Sequence, residues 1–152
     1  MTISIRPVQP GDEAIWRNLW LQYCTFYELT LPNRVTDTLW ARLMDQTFPI
    51  HALVAEADGT VQGFTNYVIH PYTWGTNDIC YLEDLFVSED ARGKGLGRAL
   101  IEDVARLARL HGWTRVYWNT HENNTRARAL YDKIVPVNPF VRYVITVDAP
   151  GT

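Results

Sequence analysis

The sequence predicts an α/β (α+β) fold in a single domain spanning residues 1–152, and three observations carry that expectation. Asp58-Gly59 separates two strand-like runs, which is the short-range signal for an antiparallel hairpin. A further strand-like run, Ile79 to Val87, leads through a glycine-rich turn into residues at helical spacing and then into β-favouring Val116-Tyr117-Trp118. The chain is also long enough, at 152 residues with 47% hydrophobic and 12% aromatic content, to bury one core without disulfides or metals.

Taken in order, Ile3 to Arg6 alternates and stops at Pro7, as an edge strand does. Asp12 sits at the N-cap position of a helix carrying Ile15, Trp16, Leu19 and Tyr23. Phe26 to Arg34 reads as a loop, and Thr36 as the cap of a second helix whose apolar face is Leu39, Trp40, Leu43 and Met44. Leu53 to Glu56 and Val61 to Ile69 form the hairpin, and Ile79 to Val87, the longest strand-like run, is placed at the sheet centre. Leu96, Leu100, Val104, Leu107 and Ala108 share a helix face that Gly112 ends. Asn124 then caps a short helix with Ala127, Leu130 and Tyr131, and Phe140 to Val147 closes the chain as a strand.

A formal net charge of −3 argues against the basic field of nucleic-acid binders and mildly favours a cationic partner. Cys24 and Cys80 read as free thiols, and no His/Cys/acid cluster has metal-ligand spacing, so no metal is expected. There is no stretch of about 18 apolar residues and no basic region leading an apolar run, which predicts no membrane contact and a cytoplasmic address.

Chemistry concentrates at Arg92-Gly93-Lys94-Gly95-Leu96-Gly97-Arg98, between a strand end and a helix start, where unpaired N–H groups and the helix dipole attract anions. Missing Cβ atoms at the three glycines let backbone approach a pyrophosphate, and Arg92, Lys94 and Arg98 add positive charge. Glycines at such a turn can also serve conformation alone, so the flanking sequence has to decide. A P-loop is excluded because Lys94 lacks a glycine five residues before it and a Ser/Thr after it, and the spacing of the glycines does not fit a dinucleotide fingerprint.

Here the residues carry a resemblance. Arg92-x-x-Gly95-x-Gly97 is similar to the acyl-CoA signature Gln/Arg-x-x-Gly-x-Gly/Ala of the GCN5-related N-acetyltransferase (GNAT) superfamily. Tyr81-Leu82-Glu83-Asp84-Leu85-Phe86-Val87 resembles its central strand, especially in the polyamine-acetylating branch, and Asn124-x-x-Ala127-x-x-Leu130-Tyr131 resembles its second conserved block. The resemblance implies a twisted, mostly antiparallel mixed sheet of about six or seven strands, about four helices, and a splayed central strand pair that holds CoA. It also implies acetyl-CoA as co-substrate, a primary amine as acceptor, and a homodimer. The usual Gly-Phe after the tyrosine is replaced by Lys133-Ile134-Val135-Pro136, a departure in the path to the last strands.

By the same resemblance, amides of Gly93 to Arg98 bind the pyrophosphate, and backbone of Leu85, Phe86 and Val87 pairs with pantetheine. Tyr131 is the general acid for the departing thiolate, against the reading of a tyrosine that only packs its ring. Asn124 contacts the cofactor, caps its helix, or does both. Glu83 and Asp84 lie consecutively in an apolar strand, so only a bulge could turn both toward one substrate. Glu83 is then the general base and Asp84 holds the ammonium; structural ion pairing is the competing reading, and His121 is the rival base. Tyr27 and Glu28, with Tyr23, are placed at the acceptor pocket, as is Asn119 within Trp118-Asn119-Thr120-His121-Glu122. The favoured substrate is a small polyamine-like amine; the alternatives are protein lysine or N-terminal acetylation, or a non-catalytic CoA-binding module.

Overall fold

A computed structural model describes residues 1–147, and the chain forms two compact units, residues 1–119 and a second that begins at Thr120. In the first unit the elements run β1 (Ile3–Pro7), α1 (Glu13–Phe26), α2 (Asn33–Met44), β2 (Ile50–Ala57), β3 (Thr60–His70), β4 (Ile79–Val87), α3 (Leu96–His111) and β5 (Val116–Tyr117). Among the described residues the second unit holds one helix, α4 (Thr125–Tyr131).

The sheet order is β1-β2-β3-β4-β5, antiparallel except for the parallel β4/β5 pair. The mixed, mostly antiparallel architecture matches expectation, with three corrections. The described residues form five strands rather than six or seven. The middle of the sheet is β3, with β4 one strand further toward the edge. Phe140 to Val147 is not a strand: its side chains are exposed, and strand propensity reports fit to a pleated, half-buried surface that this segment lacks here.

At the β2–β3 hairpin Asp58 and Gly59 both take positive φ (51° and 80°), the primed-turn geometry that the Asp-Gly pair favours. One sheet face meets α1 and α2 through Trp16, Leu19, Trp20, Trp40 and Leu43 on the helices and Ala52, Val54, Phe64 and Phe86 on the strands. Trp16 is wholly buried and packs against Trp20, Trp40 and Phe64, with ring centroids 5.3–6.1 Å apart. Leu53 and Ala55 alternate with these strand residues, so they face the other side, which α3 covers with Leu96, Leu100, Ile101, Val104 and Ala108. Each such large side chain contributes about 1.5–3 kcal/mol on burial.

One cap assignment changes, and another keeps its position but not its hydrogen bond. Asp12 does stand before α1, but its carboxylate accepts from Gln9 N–H (2.7 Å) and from both terminal nitrogens of Arg6 (2.7 and 2.9 Å) rather than capping that helix. Helix α2 begins at Asn33 behind Pro32, so Thr36 lies inside it and accepts from Trp20 Nε1 at 3.2 Å. Gly112 ends α3 as expected, with φ 77° and Trp113 N–H donating to the Ala108 carbonyl.

Candidate functional site

The β3–β4 register shifts between Asn66 and Tyr67: Asn66 pairs with Asp84, but Tyr67 pairs with Leu82, leaving Glu83 as the extra residue of a bulge. The bulge reverses the alternation. Leu82 lies opposite Tyr67 on the α3 side, whereas Asp84, two residues on, lies opposite Asn66 on the α1 side beside Phe86. Glu83 is exposed and Asp84 largely buried.

Three side chains hold Asp84. Tyr23 of α1 donates its hydroxyl to Oδ1 at 2.6 Å, Asn66 Nδ2 donates to Oδ2 at 3.0 Å, and Thr65 Oγ1 donates to the Asp84 main-chain carbonyl at 2.7 Å. Desolvation pushes the Asp84 carboxyl above the usual range, and the bonds from Tyr23 and Asn66 oppose that shift. The phenol of Tyr23 is in turn raised strongly by burial and by the Asp84 charge, so it stays a donor. Its ring is locked against Trp20 (5.2 Å, stacked), Tyr27 (4.9 Å) and the edges of Phe64 and Phe86. Burial, then the Asp84 charge, likewise raises Tyr27. Glu28 adopts a left-handed conformation (φ 55°) at the end of α1 and is exposed.

Beyond the bulge the sheet opens. β5 meets β4 only at Cys80 opposite Val116 and Tyr81 opposite Tyr117, so among the described residues Leu82 to Val87 have a strand neighbour on the β3 side alone. Tyr81 and Tyr117 stack at 4.8 Å where the strands part, and Asn119 Nδ2 donates to the Tyr81 hydroxyl at 3.3 Å. Leu85, Phe86 and Val87 thus lie on the stretch whose edge amide and carbonyl groups suit an extended amide-bearing ligand.

From Val87 the chain turns through Glu89–Ala91 and Arg92–Lys94 into α3. Gly93 and Gly95 have φ of 76° and 91°, values only glycine adopts without strain, and Gly95 occupies the N-cap with no side-chain cap bond. A Cβ at Gly93 would meet nothing within 4 Å, so the space before the turn is open. Leu96 is buried, while Gly97 and Arg98 fall in the first turn, where N–H groups lack helical acceptors. These features fit a pyrophosphate. The cations are less uniform than the sequence suggests: Lys94 is exposed, Arg98 pairs with Glu102 at 2.7 Å, and Arg92 donates to the Val87 carbonyl at 3.0 Å while covering Phe26 and Phe86.

In the second unit, Asn124 caps α4 by accepting from Ala127 N–H at 3.4 Å and donates from Nδ2 to Thr120 Oγ1 at 3.1 Å, so its amide group is partly engaged. Tyr131 ends α4, its carbonyl accepting from Ile134 and Val135 N–H. His121 is exposed. Sequence reasoning missed Asn66 and Thr65; the available signal was a polar pair in the middle of an apolar strand, where each must find a hydrogen-bond partner.

A strand edge that opens beside a glycine-lined helix start offers backbone pairing for an amide-bearing chain and a cradle for an anion, with a bulge carboxylate on the same strand. Residues 14–135 match the Acetyltransferase (GNAT) family, and the chain belongs to that family. It is accordingly an N-acetyltransferase with acetyl-CoA as co-substrate. It is 37% identical to the D-amino-acid N-acetyltransferase HPA3 of Saccharomyces cerevisiae over 134 residues, 87% of this chain and 83% of that protein. It is 36% identical to the thialysine N-epsilon-acetyltransferase of Bos taurus, covering 85% and 81% of the two chains. Its fold is similar to that of AAC(6')-Iy in complex with a CoA-S-monomethyl-acetylneamine bisubstrate analog, with TM-score 0.80, 20% identity, and 98% and 100% of the chains covered. No group of three or more metal-binding side chains occurs among the described residues, and no described helix is long and apolar enough to cross a membrane.

Proposed function

We propose that the chain acetylates the primary amine of a small cationic molecule, of polyamine-like or diamino-acid type. The observation that carries this reading is the largely buried Asp84, walled by Tyr23 and Tyr27 and held by neutral donors, at the point where the sheet opens. A carboxylate beside aromatic faces suits an ammonium by charge and by cation–π contact. The relatives named for D-amino acids and thialysine, both amines, support the same class.

In this reading the first-turn amides of α3 with Gly93 and Gly95 cradle the pyrophosphate, and the open edge Leu85–Val87 pairs with the pantetheine arm. Glu83 and Asp84 supply the carboxylates that hold and deprotonate the ammonium, because a protonated amine has no lone pair with which to attack. Tyr131 is the acid for the departing thiolate, supported by its spacing from Asn124 and Ala127, and Asn119 lines the acceptor side through Tyr81. The exposed apolar segment from Val135 to Val147 supports a homodimer, and two free, buried thiols suit a reducing, cytoplasmic compartment.

The test is acetyl transfer from labelled acetyl-CoA to polyamines, D- and L-amino acids, thialysine and diaminobutyrate, run beside basic peptides. Small diamines or amino acids should be turned over. Transfer to peptides alone would move the substrate class to proteins, and CoA binding without any transfer would make the chain a regulatory CoA binder.

A further inference from the structure

The first residue of the glycine turn packs against the acceptor side of the molecule. Arg92 stands between Ala91 and Gly93, yet its Nε donates to the Val87 carbonyl at 3.0 Å and its guanidinium lies over two rings, Phe86 of β4 at 5.4 Å and Phe26 of α1 at 5.6 Å. Among the described residues no carboxylate pairs with it, so ring faces supply the contacts that an ion pair would otherwise make. Both rings lead to the residue that holds the bulge carboxylate. Phe26 meets Tyr27 edge-on at 5.1 Å, Tyr27 meets Tyr23 at 4.9 Å, Tyr23 meets Phe86 edge-on at 6.3 Å, and Phe86 returns to Arg92. These five side chains close a ring that joins the end of α1 to β4, and within it Tyr23 donates to Asp84 at 2.6 Å. Its weakest member is Phe26, which is 54% exposed and stands where the chain leaves the helix through Tyr27 and left-handed Glu28. A half-exposed ring at a helix end gains little from burial, so the planar cation stacked on it contributes much of what fixes its place.

We propose that Arg92 is a positioning residue of the acceptor site: by clamping Phe26 to Phe86 it holds Tyr27 against Tyr23, and it thereby sets the affinity for the amine rather than for the phosphates of acetyl-CoA. This departs from the phosphate role that its charge and its place in the turn suggest, and it rests on reading the bulge as the acceptor site. The anion cradle is then the work of the amides that follow Arg92, which need no arginine side chain. Two features of arginine suit the clamp and are absent from lysine. Its plane can stack on a ring, and its Nε–H can donate in that plane to a carbonyl at the strand end.

The experiment uses the full chain as wild type, Arg92→Met, Arg92→Lys, Phe26→Leu and the Arg92→Met/Phe26→Leu double variant. It measures acetyl-CoA affinity by calorimetry, and KM and kcat for the polyamine or amino acid that wild type turns over fastest. Arg92→Met keeps an apolar stem and removes the cation and the donor, so the amine KM should rise about tenfold while kcat and the acetyl-CoA Kd stay within about threefold of wild type. Arg92→Lys, which keeps the charge without the planar fork, should behave like Arg92→Met. Phe26→Leu, a change outside the glycine turn, should raise the amine KM about as much, and the double variant no further than about tenfold, because both residues act through one contact. Acetyl-CoA affinity that falls about tenfold in Arg92→Met and recovers in Arg92→Lys, with the amine KM unmoved, would make Arg92 a phosphate contact and overturn the proposal. So would single effects that multiply in the double variant. If Arg92→Met failed to fold, Phe26→Leu would decide, since an unchanged amine KM would show that the clamp does nothing for the acceptor. A wild-type protein that acetylates no amine would refute the functional reading itself and the clamp's role with it, an outcome visible before any variant is made.

Discussion

Asn66 donates to Asp84 through Nδ2 at 3.0 Å, while the other end of the same amide, Oδ1, is buried with no hydrogen-bond partner. The amide is oriented for the carboxylate at the expense of its own acceptor, an arrangement that stability alone would not select.

Asp84→Asn should therefore stabilise the fold at neutral pH, by about 1 kcal/mol. The folded-state pKa of Asp84 is raised, so its ionisation disfavours the native state. The penalty is absent below the unfolded pKa, grows as pH rises through the window up to the folded value, and is constant above it. An asparagine removes that penalty, and its NH₂ can meet the Asn66 oxygen once that amide turns over. Thermal unfolding of both proteins at several pH values checks this: the variant's advantage should grow with pH, and equal or lower stability at pH 7 would contradict it.

The Arg6–Asp12 pair has the opposite sign. Arg6 bonds hold the Asp12 carboxyl below the usual carboxylate range, and Arg6 also reaches Glu56 at 2.8 Å. Its stabilisation is present above the unfolded pKa and is lost as pH falls through the folded one. Asp12→Asn should cost about 1–2 kcal/mol at pH 7, because a partly buried guanidinium loses one of its two carboxylate partners and keeps Glu56, and almost nothing in strong acid. Urea unfolding at the two pH values separates the outcomes.

Gly95→Ala places a side chain at φ 91°, a conformation costing an L-residue about 1–2 kcal/mol, although the nearest heavy atom to its Cβ would be Ile3 Cδ1 at 3.9 Å. The strain falls on the first turn of α3, so acetyl-CoA affinity should drop about tenfold in calorimetry while the KM for the amine changes little. Unchanged affinity would remove this turn from the cofactor site.

Phe140, Val141, Tyr143, Val144, Ile145 and Val147 are each at least 66% exposed, an apolar run that a second copy would cover. Replacing Val141 and Ile145 together by glutamate should convert a dimer to a monomer in light scattering. A wild-type protein that scatters as a monomer at tens of micromolar would end the dimer reading.

Much of the fold was legible because its signals are local. Asp58-Gly59 needs only its own φ angles to make a hairpin, Gly112 needs only a helix to end, and the Ile79 to Val87 run keeps its limits in the structure. Thr36 and Phe140 to Val147 were misread, and Asp12 holds its N-cap position without the capping bond, for a shared reason: each has a strong local preference that a distant group, or the lack of one, overrides. Asp12 is captured by Arg6 and Thr36 by the indole of Trp20, while the final segment has the composition of a strand without a ladder.

The candidate site divides along the same line. The glycine turn, the carboxylate pair and the Asn124–Tyr131 spacing are properties of contiguous sequence, and by themselves they determined the family and the co-substrate. Only the tertiary structure decided that Glu83 is the extra residue of a bulge, that Asp84 turns inward, and that Tyr23, 61 residues away, holds it. The difference is physical: backbone conformation and capping are set within a few residues, whereas the burial and ionisation of a carboxylate depend on which distant donors the packed sheet and helix bring against it.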